Sequence, residues 1–221
     1  MKLANISVSA LALLFAASGY SADLTVQGEV IGSQSKLDFG KAKIQEPVTG
    51  ISITDDNDEK PDTLTAPGFG VSLQYEVNEA LRLGGGLGYA DYDGDDDEMK
   101  YSDMSVAANA SYDFYKQDGF ALYGLGGLSY HMVDPEDQKA GGLELKRESA
   151  DLLNYDLGLG GRFDVAENVN LSLGYRFSDT LSKGTIDSKL AAVGSDASLK
   201  GQLKDVTLQK NEFIASVGYS F

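Results

Sequence analysis

The 221-residue sequence has no cysteine, no tryptophan and only one histidine. Without cysteine, no disulfide can hold the fold together. After residue 22, no apolar run approaches the roughly 20 residues that a transmembrane helix needs. Lys and Arg number 18 against 34 Asp and Glu, and the net charge of -16 argues against binding to nucleic-acid phosphates. Glycine and tyrosine, at 26 and 12, are instead abundant.

The N-terminus has the pattern of a secretory signal peptide over residues 1–22. A charged start at Lys2 is followed by an apolar centre at 10–17 and small residues at 18–22. We expect cleavage after Ala22, with cleavage after Gly19 as the alternative. The mature chain, residues 23–221, has a length that fits a single domain.

A hairpin at residues 155–163 and 169–177 alternates strictly between two kinds of side chain, which is the period of a β-strand. The bulky apolar face carries Tyr155, Leu157, Leu159, Phe163, Val165, Val169, Leu171, Leu173, Tyr175 and Phe177. The other face carries Asp156, Gly158, Gly160, Arg162, Asp164, Asn170, Ser172, Gly174 and Arg176. Apolar side chains outside and small or polar ones inside are typical of a membrane β-barrel.

The same alternation predicts eight strands in all. The six others centre on residues 24–32, 69–77, 81–89, 104–114, 120–132 and 213–221. Tight turns follow the second, fourth and sixth strands, whereas longer polar connections follow the first, third, fifth and seventh. This order predicts an all-β, eight-stranded, antiparallel up-and-down transmembrane barrel with both termini in the periplasm.

Aromatic residues fall at both ends of the predicted strands, as expected at the two membrane interfaces. Those near the tight turns are Tyr75, Tyr112, Phe114, Phe120, Phe163, Tyr219 and Phe221. Those near the long connections are Phe69, Tyr89, Tyr130, Tyr155, Tyr175 and Phe177. A soluble barrel of the lipocalin type would also alternate, but its second face would meet water. The glycines of that face, such as Gly84, Gly86 and Gly88, fit a crowded lumen better.

The chain resembles the small outer-membrane β-barrel family of the OmpA-transmembrane, OmpX and opacity-protein type. The resemblance depends on three stretches, at 122–130, 173–177 and 217–221. It implies that Val217, Tyr219 and Phe221 form the C-terminal signal that the barrel-assembly machinery reads during insertion. It also implies a monomer in the outer membrane of a Gram-negative cell, in contact with membrane lipid and lipopolysaccharide.

The alternation places several charged residues on the face that lines the predicted lumen. The turn after the second strand makes Glu76 and Arg82 cross-strand neighbours, and Arg162 and Arg176 also point inward. Asp156, with Glu29 and Asp113, supplies acids that could pair with them, as buried charges require. We interpret these residues as a structural charge network that fills the bore. An ion path or a gated pore is the functional alternative.

Two further features carry possible chemistry. The acidic run at 91–98 lacks the spacing of a calcium-binding EF-hand loop, so we expect a solvated loop facing lipopolysaccharide. Ser129 and His131 share the inward face, where a serine–histidine pair could activate a nucleophile. No third member is fixed by spacing. We therefore predict no enzyme, no cofactor and no metal.

The sequence thus favours an integral outer-membrane protein that presents acidic extracellular loops, for envelope integrity or adhesion. A narrow porin-like channel for small or hydrophobic solutes is the alternative. A lipid-modifying enzyme is a third and weaker interpretation.

Overall fold

The computed structural model describes residues 24–45, 52–56, 63–93, 100–140, 143–192 and 198–221. They form thirteen strands. The bounds are β1 Leu24–Asp38, β2 Lys41–Gln45, β3 Ser52–Asp56, β4 Thr63–Glu76, β5 Leu81–Tyr92, β6 Tyr101–Gln117, β7 Phe120–Pro135, β8 Gln138–Ala140, β9 Leu143–Arg147, β10 Ala150–Ala166, β11 Val169–Ser182, β12 Gly184–Ala192 and β13 Ser198–Ser220. Among these residues no helix has the length and apolarity to cross a membrane. The predicted signal peptide lies outside the described residues.

Eight of the strands close into an antiparallel ring in the order β1, β4, β5, β6, β7, β10, β11 and β13, with β13 pairing back to β1. The predicted eight-stranded barrel is therefore confirmed. Two-residue turns at 118–119 and 167–168 join β6 to β7 and β10 to β11. Asp118 and Gly119 have φ values of 47° and 78°. Positive φ at both positions is the geometry that joins twisted antiparallel strands in a two-residue turn.

The side chains point as the alternation predicts. Leu157, Leu159 and Leu173 lie on the outer surface, and Leu157 is 56% exposed. Asp156 and Arg162, on the opposite face of β10, are buried inside. The predicted aromatic sets also form contacts, with rings 4.7 Å apart for Phe120–Phe163 at the turn end. The apolar side of the barrel strands therefore faces outward.

The glycines of the inner face make room for larger neighbours. A Cβ built on Gly160 would lie 2.5 Å from the Tyr123 hydroxyl oxygen, and one on Gly84 would lie 2.7 Å from Asn109 Oδ1. Side-chain ends can move, but the Cβ on Gly160 would also lie 2.7 Å from the backbone carbonyl oxygen of Leu173, so this position requires glycine. The crowded bore that the glycine rows indicate is therefore present.

The strands extend well beyond the predicted apolar band, and here the prediction was too short. β1 continues to Asp38 and β13 begins at Ser198, although the residues before 205 were interpreted as a polar connection. The barrel thus has a short-turn half, which contains the outward apolar band, and a long-loop half above it. The second half escaped the pattern because its apolar residues lie on the inner face.

The long connections are not only loops, which corrects the sequence interpretation. Strands β3, β2, β12, β9 and β8, with the first part of β13, form a second antiparallel sheet at the long-loop end. We call it the loop sheet. Its strand order is β3, β2, β13, β12, β9 and β8. Asp205, with a φ of 57°, is skipped between the pairs Gly184–Val206 and Thr185–Lys204. This bulge marks where β13 passes from barrel to loop sheet.

Candidate functional site

The inside of the barrel carries the polar chemistry of the described chain, and it is organised in three levels. The lowest level, near the short turns, is an ion-pair cluster around Asp113. Arg82 donates to Glu76 at 2.9 Å and to Asp113 at 2.9 Å, and Arg162 donates to the same Asp113 oxygen at 2.6 Å. The structure therefore brings together three of the predicted lumen residues, Glu76, Arg82 and Arg162. Two arginines face two carboxylates, so their charges balance.

Asp113 is the centre of this cluster, although the sequence indicated it only as one acid among several. Its strand, β6, pairs with β5, which carries Arg82, whereas Arg162 lies on β10, beyond β7. Arg162 therefore reaches Asp113 across the lumen side of β7. Only the closed curvature of the sheet makes that contact possible.

The middle level is a second charge network near the long-loop half. Arg176 donates to Glu212 at 2.6 Å, and Lys210 contacts both Glu212 and Asp103 at 2.8 Å. The carboxylate beside Arg176 is thus Glu212 rather than Asp156 or Glu29. Asp156 accepts hydrogen bonds from Ser129, at 2.9 Å, and from Ser178. Glu29 accepts one from Ser72 at 2.6 Å.

The sequence analysis missed Lys210, Glu212 and Asp103. Lys210 and Glu212 precede the segment interpreted as the last strand, so their parity was not examined. Asp103 lies just before the predicted start of its own strand. Extending the alternation of 213–221 backwards would have placed Lys210 and Glu212 inside, because even-numbered residues of β13 from Val206 onward face the lumen.

His131 completes a Ser–His–Asp arrangement in this network. Its Nε2 lies 3.0 Å from Ser129 Oγ, and its Nδ1 lies 3.0 Å from Asp103 Oδ1. The third member of the arrangement is therefore Asp103 on β6, which the spacing of Ser129 and His131 along β7 could not indicate. However, the Ser129 hydroxyl donates its proton to Asp156 rather than to the histidine. A serine nucleophile needs the base to accept that proton.

Small cavities separate the lower cluster from the middle network. One of about 60 Å³ is lined by residues that include Gln27, Asn109 and Tyr123, and one of about 30 Å³ touches Glu29 and Ser105. These volumes hold a few water molecules at most.

The upper level is an apolar core inside the long-loop half. It consists of Leu37, Leu64, Ala66, Ala90, Tyr92, Tyr101, Val133, Ala150, Leu152, Ile186, Val206 and Leu208. The Tyr92 and Tyr101 rings stack at 4.7 Å. Their hydroxyl groups meet those of Ser33 and Ser35, at 2.6 Å and 2.7 Å. Burial raises the pKa of the Tyr101 hydroxyl well above its ordinary value. This core closes the bore above the charged network.

The remaining predicted residues lie as follows. Val217, Tyr219 and Phe221 lie on the outer face at the end of the chain, where Phe221 N donates to Leu24 O at 3.0 Å. Residues 94–98 of the acidic run lie outside the described part. Of the rest of that run, Asp93 pairs with Lys100 at 3.4 Å. No group of three or more metal-ligating side chains occurs among the residues that the structure describes. The expectation that this run is a solvated loop facing lipopolysaccharide, without a specific calcium site, stays a prediction.

With this geometry established, comparison with known proteins identifies the family. A family model described as "Outer membrane protein beta-barrel domain" matches residues 7–221. The chain belongs to this family. Its location is therefore the outer membrane of a Gram-negative cell, as the resemblance implied.

Solved structures support the same fold. Neisserial surface protein A is 19% identical, with a TM-score of 0.53, over 90% of this chain and 97% of its own. The outer membrane protein OprG from Pseudomonas aeruginosa is 14% identical, with a TM-score of 0.51, over 90% of this chain and 96% of its own. At these identities the similarity concerns the fold alone. No curated protein matches the chain.

Proposed function

We propose that this protein is a closed outer-membrane anchor, which conducts no solutes and presents the loop sheet outside the cell as a contact surface. The observation that carries the proposal is the filled bore. Ion pairs around Asp113 occupy its lower end, and the apolar core around Leu152 occupies its upper end. A narrow channel would need a continuous polar path between these two levels.

The ion pairs at the lower end of the bore and the apolar core at its upper end differ in how they resist the entry of water. Paired charges can separate when water enters, whereas the apolar core excludes water from the full width of the bore. We therefore expect the apolar core to hold the barrel closed even when the ion pairs are removed. In this proposal Glu76, Arg82, Asp156, Arg162 and Arg176 serve packing and charge balance, and not transport.

The test is single-channel recording in planar bilayers with the refolded full-length mature chain. We expect conductance near the background for the unmodified protein and for the double variant Glu76→Ala/Arg82→Ala. A general porin inserted under the same conditions serves as the positive control. A large, steady conductance of the unmodified protein would refute the closed anchor and favour the channel.

A hydrolase is the second candidate, because Ser129, His131 and Asp103 have the distances of a catalytic triad. Two observations weigh against it. The serine proton is directed to Asp156, and all three side chains are buried beneath the apolar core. We propose that the arrangement is structural and that the protein is no enzyme. Hydrolysis of a lipid or simple ester that disappears in His131→Ala would overturn this.

A further inference from the structure

Four buried side chains of the middle network form an unbroken row of hydrogen bonds, which we call the histidine row. Contacts of 3.0, 3.0 and 2.9 Å join, in this order, Asp103, His131, Ser129 and Asp156. All four side chains are buried, and His131 is 3% exposed. Buried polar atoms are nearly always paired with a donor or an acceptor. The hydrogen atoms that these three contacts require can therefore be counted.

A neutral histidine between two ionised carboxylates cannot supply enough hydrogen atoms for the histidine row. Each of the three contacts needs one hydrogen atom. A neutral imidazole supplies one and the Ser129 hydroxyl supplies one, whereas an ionised carboxylate only accepts. Asp103 also receives a hydrogen bond from the Lys210 ammonium group at 2.8 Å, so it acts as an acceptor throughout. Without a further proton, two acceptors would face each other at one of the contacts. The histidine row therefore holds one extra proton.

The charges around the histidine row indicate the same extra proton. Among the described residues of the middle network, three carboxylates face two permanent cations. These groups are Asp103, Asp156, Glu212, Lys210 and Arg176. Glu29 adds a further acid beside the small cavities. The hydroxyl groups of Tyr92 and Tyr101 bond to serines above the row, and tyrosine is neutral below about pH 10. Because an uncompensated buried charge is costly, one more positive charge stabilises this network.

His131 is a better position for the extra proton than Asp156. The Oδ1 atom of Asp156 accepts from two hydroxyl groups, those of Ser129 and Ser178. Two donors on one oxygen are typical of an ionised carboxylate. An ordinary histidine also keeps its proton up to about pH 6.5, whereas an ordinary aspartic acid loses it near pH 3.9. With hydrogen on both ring nitrogens, His131 donates to Asp103 and to Ser129 at once.

We propose that His131 is a buried imidazolium ion at neutral pH, and that its second ring proton is a pH-sensitive link between β6, β7 and β10. Loss of this proton leaves three carboxylates facing two cations beneath the apolar core. The proposal goes beyond the closed anchor, which requires no particular protonation state of the lumen. It also gives a reason why the histidine does not activate Ser129, because an imidazolium ion has no lone pair to accept the serine proton.

The first test is NMR of the mature chain, labelled with nitrogen-15 histidine and without a histidine tag, in detergent micelles. The sequence contains one histidine, so both ring-nitrogen signals belong to His131. We record them at about pH 7.5, where an ordinary histidine is mostly neutral. We expect hydrogen on both ring nitrogens. A neutral ring with hydrogen on Nδ1 alone would overturn the proposal.

The variant Asp156→Asn tests the proton count. It removes the charge that the extra proton balances, and its amide group can donate to Ser129, which frees the serine proton for His131. We therefore expect a neutral His131 in this variant at the same pH. Asp151→Asn is the matched control, because it removes the same charge on the exposed face of β10, and it should keep the imidazolium. The same protonation state of His131 in the two variants would overturn the proposal. Heat-modifiable gel migration verifies that each variant is folded.

The pH dependence of unfolding is a second and independent measurement. Above the pH at which an ordinary histidine loses its proton, the native state binds one proton more than the unfolded state, so its stability falls as the pH rises. Between about pH 7 and pH 8.5, the folding equilibrium constant of the unmodified protein should fall about tenfold more per pH unit than that of Asp156→Asn. Equal pH dependence in urea unfolding would refute the link. Channel recording tests the closed anchor separately, so failure of one proposal leaves the other standing.

Discussion

The two halves of the barrel have opposite surfaces although the same strands build both. In the short-turn half of β1, Val30 faces outward and is 69% exposed. Seven residues further on, in the long-loop half, Leu37 faces inward and is 8% exposed. The change on β13 is similar, with Phe213 outside and Leu208 inside. From Val30 to Leu37, and from Leu208 to Phe213, the alternation is unbroken, and only the chemistry of the two faces is exchanged.

The difference follows from the solvent that surrounds each half. Hydrocarbon surrounds the short-turn half, so apolar side chains are favourable outside and polar groups must pair inside. Water surrounds the long-loop half, so the hydrophobic effect places the apolar side chains inside. The charged network of Lys210, Glu212 and Asp103 lies where the interior changes from polar to apolar.

The largest effect should come from a charge in the apolar core. Leu152→Asp would bury a carboxylate at a fully buried position, and we expect a loss of about 4 kcal/mol or more in the free energy of unfolding. The measurement is denaturant unfolding in lipid vesicles. Asp151→Asn, at the exposed neighbouring position, is the control and should change little. Similar stability of Leu152→Asp and the control would contradict an apolar core.

A charge on the outer surface should have an intermediate effect that depends on the half. Leu157→Arg places a charge in the lipid-facing band, which costs about 2 to 4 kcal/mol near the bilayer centre. Gln34→Arg places the same charge on the outer face of β1 in the long-loop half. There we expect almost no change, because the side chain meets water. Equal costs at the two positions, measured by unfolding in vesicles, would refute the boundary between the halves.

The smallest change in the free energy of unfolding should come from adding a methyl group to a glycine, and it should differ between the inside and the outside of the short-turn half. Gly160→Ala would press a methyl group against the Tyr123 hydroxyl, and we expect a cost of about 1 to 3 kcal/mol. Gly124→Ala, on the outer face with no atom within 4 Å of the new carbon, should be close to neutral. The same unfolding measurement applies. A neutral Gly160→Ala would mean that the lumen is less crowded than the structure indicates.

Much of the short-turn half could be predicted from sequence, because its pattern is strong. Leu157, Leu159, Leu171 and Leu173 alternate with small or charged residues, and hydrocarbon outside requires that contrast. We searched for the same outward apolar pattern in the long-loop half. Because the apolar residues of that half lie on the inner face, it was interpreted as polar connections. Leu152 has the opposite parity to Leu157, so the apolar residues change from the outer to the inner face at the point where the solvent changes.

The contacts inside the lumen could be predicted from the sequence only in part. Glu76 and Arg82 are six residues apart across a turn, so their pairing follows from local register. Lys210 and Asp103 are separated by 107 positions and meet only because the barrel closes. The loop sheet likewise depends on register between strands from three different connections.

The amino-acid sequence by itself determined the strand period, the outward apolar face and hence the class of fold and its location, because these depend on local alternation and on the surrounding solvent. The tertiary structure alone decided which charges share the lumen, what closes it and which strands pair in the loop sheet. Those contacts join residues that are distant in the chain. Their proximity is fixed by ring closure and register, which no local pattern encodes.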